Sequence, residues 1–146
     1  MNEPLTLLAR RRSGVYWAGP RPDAEALARG AAAAGWDFAR VDGASATGKG
    51  ELLDALAGAL SFPEGFGRNW DALEDFLGDL SWRKGRGTML LWSPVDPLAR
   101  RDPAALDAAL DVLRSAARDW RAQGRPFLAI LGGDERPRSL SARRPR

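Results

Sequence analysis

The stretch FPEGFGRNWDALEDFLGDLSW, residues 62–82, decides how the chain is read. Proline and glycines open it as a loop, and Asn69, whose short polar side chain suits an N-cap, then introduces a helical pattern. At 100° per residue, Trp70, Leu73, Phe76, Leu77 and Leu80 fall on one arc, and Asp71, Glu74, Asp75 and Asp79 fall on the other. One face can pack; the opposite face is a row of carboxylates. Spacing alone fits any amphipathic surface helix with a solvated acidic side, so the surroundings have to carry the argument further.

On either side of this stretch, short apolar runs alternate with helical patterns. GVYWA (14–18) reads as a strand, DAEALARGAAAAG as a helix closed by Gly35, and WDFARV (36–41) as a second strand. A helix is expected from about Lys49 to Leu60, the acidic helix from Trp70 to Leu80, and a strand at TMLLW (88–92). A long helix starts at Pro103, a residue suited to a first turn, and stops at Gly124 before a last strand, PFLAIL (126–131). Strands separated by helices need crossover connections, so the chain reads as an α/β protein with a mainly parallel sheet.

The loop and helix together resemble the signature of the barstar-like family, the intracellular inhibitors of barnase-type microbial ribonucleases. The residues that carry the resemblance are Pro63, Glu64, Gly65, Phe66 and Gly67, then Asn69, Trp70, Asp71, Ala72, Leu73, Glu74 and Asp75. VDG (41–43) and ELLDALAGAL precede them and TMLLW and PFLAIL follow in the expected order, so the likeness covers roughly residues 36–131. The resemblance implies a small, mainly parallel three-stranded sheet with packed helices, here extended by an N-terminal βα unit at about 14–35. With that addition, a chain of this length reads as one domain over residues 1–134. It also implies a protein that binds and occludes a ribonuclease active site and is not itself an enzyme. Asp71 and Asp75 match the two inhibitory aspartates of the family, with Glu74 beside them. Gly65, Phe66, Gly67, Asn69 and Trp70 would border the contact, and Asp119 on the long helix aligns with a rim acid. Where the type member has aromatics, this chain has Gly65 and Glu74.

Composition sets the remaining expectations. The chain has 146 residues, enough for one core, and no cysteine, which fits a reducing compartment and a cytoplasmic location. MNEPLTLLARRR lacks the order and length of a signal peptide. The net charge of +3 conceals a segregation, since residues 37–80 hold nine acidic and three basic side chains while residues 81–146 hold fourteen basic and seven acidic. The acidic centre fits a basic protein partner, which the resemblance implies is a secreted ribonuclease; alternatively, the fold is a docking module for another basic protein. The basic half leaves an RNA or nucleotide binder as a further reading, but its arginines lack the interleaved aromatics of a base-stacking surface, and no direct nucleic-acid contact or membrane association is expected.

GASATGKG (43–50) almost spells a phosphate-binding loop, but Gly50 stands where a hydroxyl would ligate Mg²⁺. With neither histidine nor cysteine, the chain lacks the commonest general base and the thiol nucleophile; no catalytic residue, metal site or cofactor is expected. The six tryptophans read mainly as core, with Trp70 and Trp82 at the ends of the acidic helix as the exceptions. The tail, residues 135–146, holds five arginines and one leucine and is expected to be mobile.

Overall fold

A computed structural model describes residues 3–141. Four short apolar segments form its strands: β1 (Gly14–Trp17), β2 (Asp37–Asp42), β3 (Thr88–Ser93) and β4 (Phe127–Leu131). All neighbouring pairs are parallel, in the order β1-β4-β3-β2. The sheet therefore has four strands, not three, because the N-terminal strand joins its edge beside β4. The two central strands are apolar almost throughout, and every residue of β4 is buried, as expected for parallel strands covered on both sides.

Alternate strand residues serve two cores. Ala39, Val41, Leu90, Trp92, Ala129 and Leu131 face one side of the sheet and pack with α3 (Lys49–Ala59), α4 (Trp70–Asp79) and α6 (Pro103–Ala122). Met89, Leu91, Leu128 and Ile130 face the other side, where Leu8 of α1 (Glu3–Ala9) and Leu27 and Ala31 of α2 (Ala24–Ala34) cover them. The N-terminal addition thus does more than widen the sheet: its two helices make the second layer. The α2 helix follows its sequence signals closely. Asp23 Oδ1 accepts the Ala26 N–H at 3.0 Å, and Gly35 ends the helix in the left-handed region at φ 77°. Among the described residues, no helix is long and apolar enough to cross a membrane.

Part of the segment expected to be mobile is folded. The buried carboxylate of Asp96, at the start of α5 (Asp96–Arg101), accepts the backbone N–H groups of Asp134 and Glu135 at 3.0 and 3.1 Å. The chain then turns into α7 (Arg138–Ser141), where Leu140 is only 7% exposed and Arg114 donates to the Ser139 carbonyl at 2.7 Å. Low apolar content was a sound argument against a separate core, but a single leucine placed by backbone hydrogen bonds can join an existing one. Residues 142–146 lie outside the described residues.

Two stability measurements follow. Leu73, fully buried in α4, should cost about 2 to 5 kcal/mol when replaced by alanine, read from urea unfolding; a near-neutral result would mean that the helix faces are misassigned. Deleting residues 135–146 should cost more than about 1 kcal/mol, since it strips Leu140 from the core and leaves Asp96 with one fewer donor. An unchanged unfolding midpoint would show that α7 contributes nothing.

Candidate functional site

Helix α4 is held at both ends by side chains. At its start Asn69 is extended, with φ −143° and ψ 173°, and its Oδ1 accepts the Ala72 N–H at 2.8 Å. At its end the Leu77 carbonyl, one of the last four that a helix leaves without an internal partner, accepts the indole N–H of Trp120 from α6 at 2.7 Å. Leu80 closes the helix in the left-handed region at φ 46° while staying buried. Leu73 and Leu77 sit in the core, Trp70 is half-buried at its margin, and Phe76 is half-buried against Phe62 and Phe66. That leaves Asp71, Glu74, Asp75 and Asp79 exposed on the outer face, as the spacing predicts.

The loop before α4 is fixed as well. Arg68, left-handed at φ 56°, forms a two-pronged ion pair with Asp54 of α3 at 2.7 and 3.1 Å. The Asp54 carboxylate holds the Arg68 guanidinium above its ordinary pKa, chiefly through the hydrogen bond. The side chains are 56% and 60% exposed, so the pair orients the loop more than it stabilises the fold. Phe66 packs edge-on against Phe62 and Phe76, with ring centres 5.0 and 5.3 Å away, and Trp82 joins the group at 5.8 Å from Phe62. The Trp82 indole N–H donates to the Leu60 carbonyl at 2.8 Å, which ties the segment after α4 to the end of α3. Gly65 has φ 101°, a conformation that disfavours the aromatic side chain found there in the type member.

The predicted residues therefore divide by role. Asp71, Asp75, Gly65 and Gly67 are exposed and open to a partner. Glu74 is also exposed, yet its Oε2 accepts the Ser115 hydroxyl of α6 at 3.2 Å. Asn69 spends its oxygen on the cap and Phe66 its ring on the aromatic cluster, so both position the loop. Trp70 flanks the core, with the Lys49 ammonium 5.5 Å from its ring centre. Asp119 lies one helical turn beyond Ser115, on the side of α6 that meets Glu74, and is exposed. Sequence reasoning missed Ser115, Lys49 and the Phe62–Phe76–Trp82 cluster. These residues come from different elements, so no periodicity links them.

The phosphate-loop look-alike is an ordinary turn. Asp42 caps it by accepting the Ala44 N–H at 3.0 Å, and Gly43 is there because a Cβ would collide with the Pro94 carbonyl oxygen. Its glycine reports close packing of backbone on backbone.

No curated protein matches the chain. The family model described as Barstar (barnase inhibitor) matches residues 36–132, from the start of β2 to the end of β4. Two thirds of the sequence lies within that match, with the capped acidic helix at its centre, and the chain belongs to the barstar family.

Proposed function

We propose that the protein binds a microbial ribonuclease and occludes its active site with the outer face of α4, as a self-protection inhibitor inside the cell that makes the enzyme. The observation that carries this reading is the row Asp71, Glu74 and Asp75, exposed on a helix whose opposite side and both ends are fastened. A ribonuclease site is lined with cations for RNA phosphates, and a rigid carboxylate row offers them a substitute without an ordering cost at binding. Asp75 is the central charge, entering the phosphate subsite, with Asp71 one turn away and Glu74 pairing with flanking cations. Gly65, Gly67, Trp70 and Asp119 form the rim, and Asn69 and Phe66 act by holding the loop.

A second reading, a docking module for a different basic protein, is favoured by one observation: Glu74 is engaged by Ser115 and Gly65 offers no side chain, so the contact surface differs from the type member's. Inhibition of barnase and related small secreted ribonucleases in a fluorogenic RNA assay separates the two. Loss of RNase activity at stoichiometric inhibitor supports the first reading, and no inhibition across the panel supports the second.

Among the acids, Asp75→Ala should weaken ribonuclease binding most, Asp71→Ala next and Asp79→Ala least, since Asp79 lies at the far end of the arc. Truncating one partner of a desolvated charge pair costs about 2 to 5 kcal/mol, a range that itself derives in part from the barnase–barstar pair. Folding should survive all three changes, because removing one of several clustered like charges relieves repulsion. Association should slow as salt rises, with screening limiting the acidic field to about 8 Å at physiological ionic strength. Association and dissociation rates for the three variants at two salt concentrations check the ranking; parent-like binding by Asp75→Ala would place the inhibitory face elsewhere.

A further inference from the structure

The sheet has two open edges, and they are built differently. Strand β2 carries Asp37, Arg40 and Asp42, and charge along an edge discourages pairing with another chain. Strand β1, the other edge, reads Gly14-Val15-Tyr16-Trp17 and carries no charge. Its backbone direction is set by the Ala18 N–H, which donates to the Leu131 carbonyl of β4 at 2.7 Å. By the alternation of a strand, Tyr16 points its N–H and C=O toward β4 as well. Val15 and Trp17 therefore present theirs to the free side, and among the described residues no strand pairs there.

Beside that edge runs a groove of about 460 Å³ between residues 13–16 and one face of α6. Its wall is Arg114, Arg118 and Arg121, spaced so that all three share that face. Arg114 is half-buried and held by the Ser139 carbonyl and by Asp111 at 3.6 Å. Arg118 and Arg121 are exposed, with no ion-pair partner among the described residues. A helix dipole favours cations only within the last turn, which accounts for Arg121 and leaves Arg118 without a structural partner among the described residues.

We propose that this edge and its arginine wall form a docking site for an extended acidic segment of another protein, which adds to the sheet as a fifth strand beside β1. Main-chain hydrogen bonds to Val15 and Trp17 would supply the pairing, and carboxylates at alternate positions would meet the arginines. A second copy of the chain is a poor occupant, because it would bring its own arginine wall against this one. Nucleic acid fits less well too. The half-buried Tyr16 ring folds back over Gly14, with its hydroxyl 3.4 Å from the Ser13 carbonyl, and no second aromatic lines the groove to build a base stack. The strand of this site lies before residue 36, outside the family match, and its arginines lie on α6 within it; the proposal does not depend on the inhibitory reading of α4.

The test titrates the full chain with a fluorescein-labelled eight-residue peptide alternating Val and Glu. Its Val/Lys counterpart and a labelled twelve-nucleotide oligouridine serve as the other arms. The acidic peptide should bind with Kd below about 1 mM. The double variant Arg118→Gln/Arg121→Gln, both positions exposed, should remain folded with a cooperative thermal transition and lose at least tenfold in affinity. At saturation, hydrogen exchange at the Val15 and Trp17 amides should slow at least tenfold in the parent chain. Equal binding of the Val/Lys peptide, tighter binding of oligouridine, a dimer in light scattering at working concentration, or unchanged exchange at Val15 and Trp17 would each overturn the proposal.

Discussion

Strands β3 and β4 are apolar on both faces, and neither face can be left in water. Most of the architecture follows from that requirement. A parallel sheet needs crossovers, the crossovers are helices, and each helix must offer an apolar stripe to one side of the sheet. Helices α3, α4 and α6 meet the demand on one side and α1 and α2 on the other. The acidic helix is therefore first of all a cover for the core. Its outer face was free to become a carboxylate row because its inner face was committed to Leu73 and Leu77.

Stiffness comes from polar contacts placed where helices are weakest. The last carbonyls of a helix normally turn to water, yet α4 gives one of its own to Trp120, and α3 gives its terminal Leu60 carbonyl to Trp82. Two indoles thus serve both as core surface and as caps, a use that suits tryptophan's large ring and single donor. Arg125 works similarly between elements. It bonds Asp37 at 3.3 Å, Thr88 at 2.9 Å and the Gly85 carbonyl at 3.1 Å, and lies over the Trp120 ring, so the loop from α4 to β3 is tied to the end of α6. Burial lowers its pKa, and the Asp37 carboxylate opposes that shift.

Periodicity made the long elements legible. The apolar arc of α4, the stop at Gly35, the proline at the start of α6 and the run FLAIL each carry a local signal strong enough to survive tertiary context. The short helices were not legible. With seven, six and four residues, α1, α5 and α7 are too brief for a period to show, and they form because packing selects them. The candidate site divides along the same line. Which acids face outward could be read from one helix, whereas the engagement of Glu74 by Ser115 and of Asn69 by its own helix depends on geometry that spacing cannot convey. Phe66 shows the limit clearly: its place in the family-like loop pointed to a partner, and its neighbours Phe62 and Phe76 give it a structural task.

The N-terminal layer separates ancestry from autonomy. The family match runs from residue 36 to residue 132, but that span alone would leave Met89, Leu91, Leu128 and Ile130 as a bare apolar stripe across the back of the sheet. Such a stripe is a surface for aggregation. In this protein the span that matches the family and the span that closes both faces of the sheet therefore have different lengths. A fragment cut at the bounds of the match would keep the acidic face of α4 and uncover the back of the sheet.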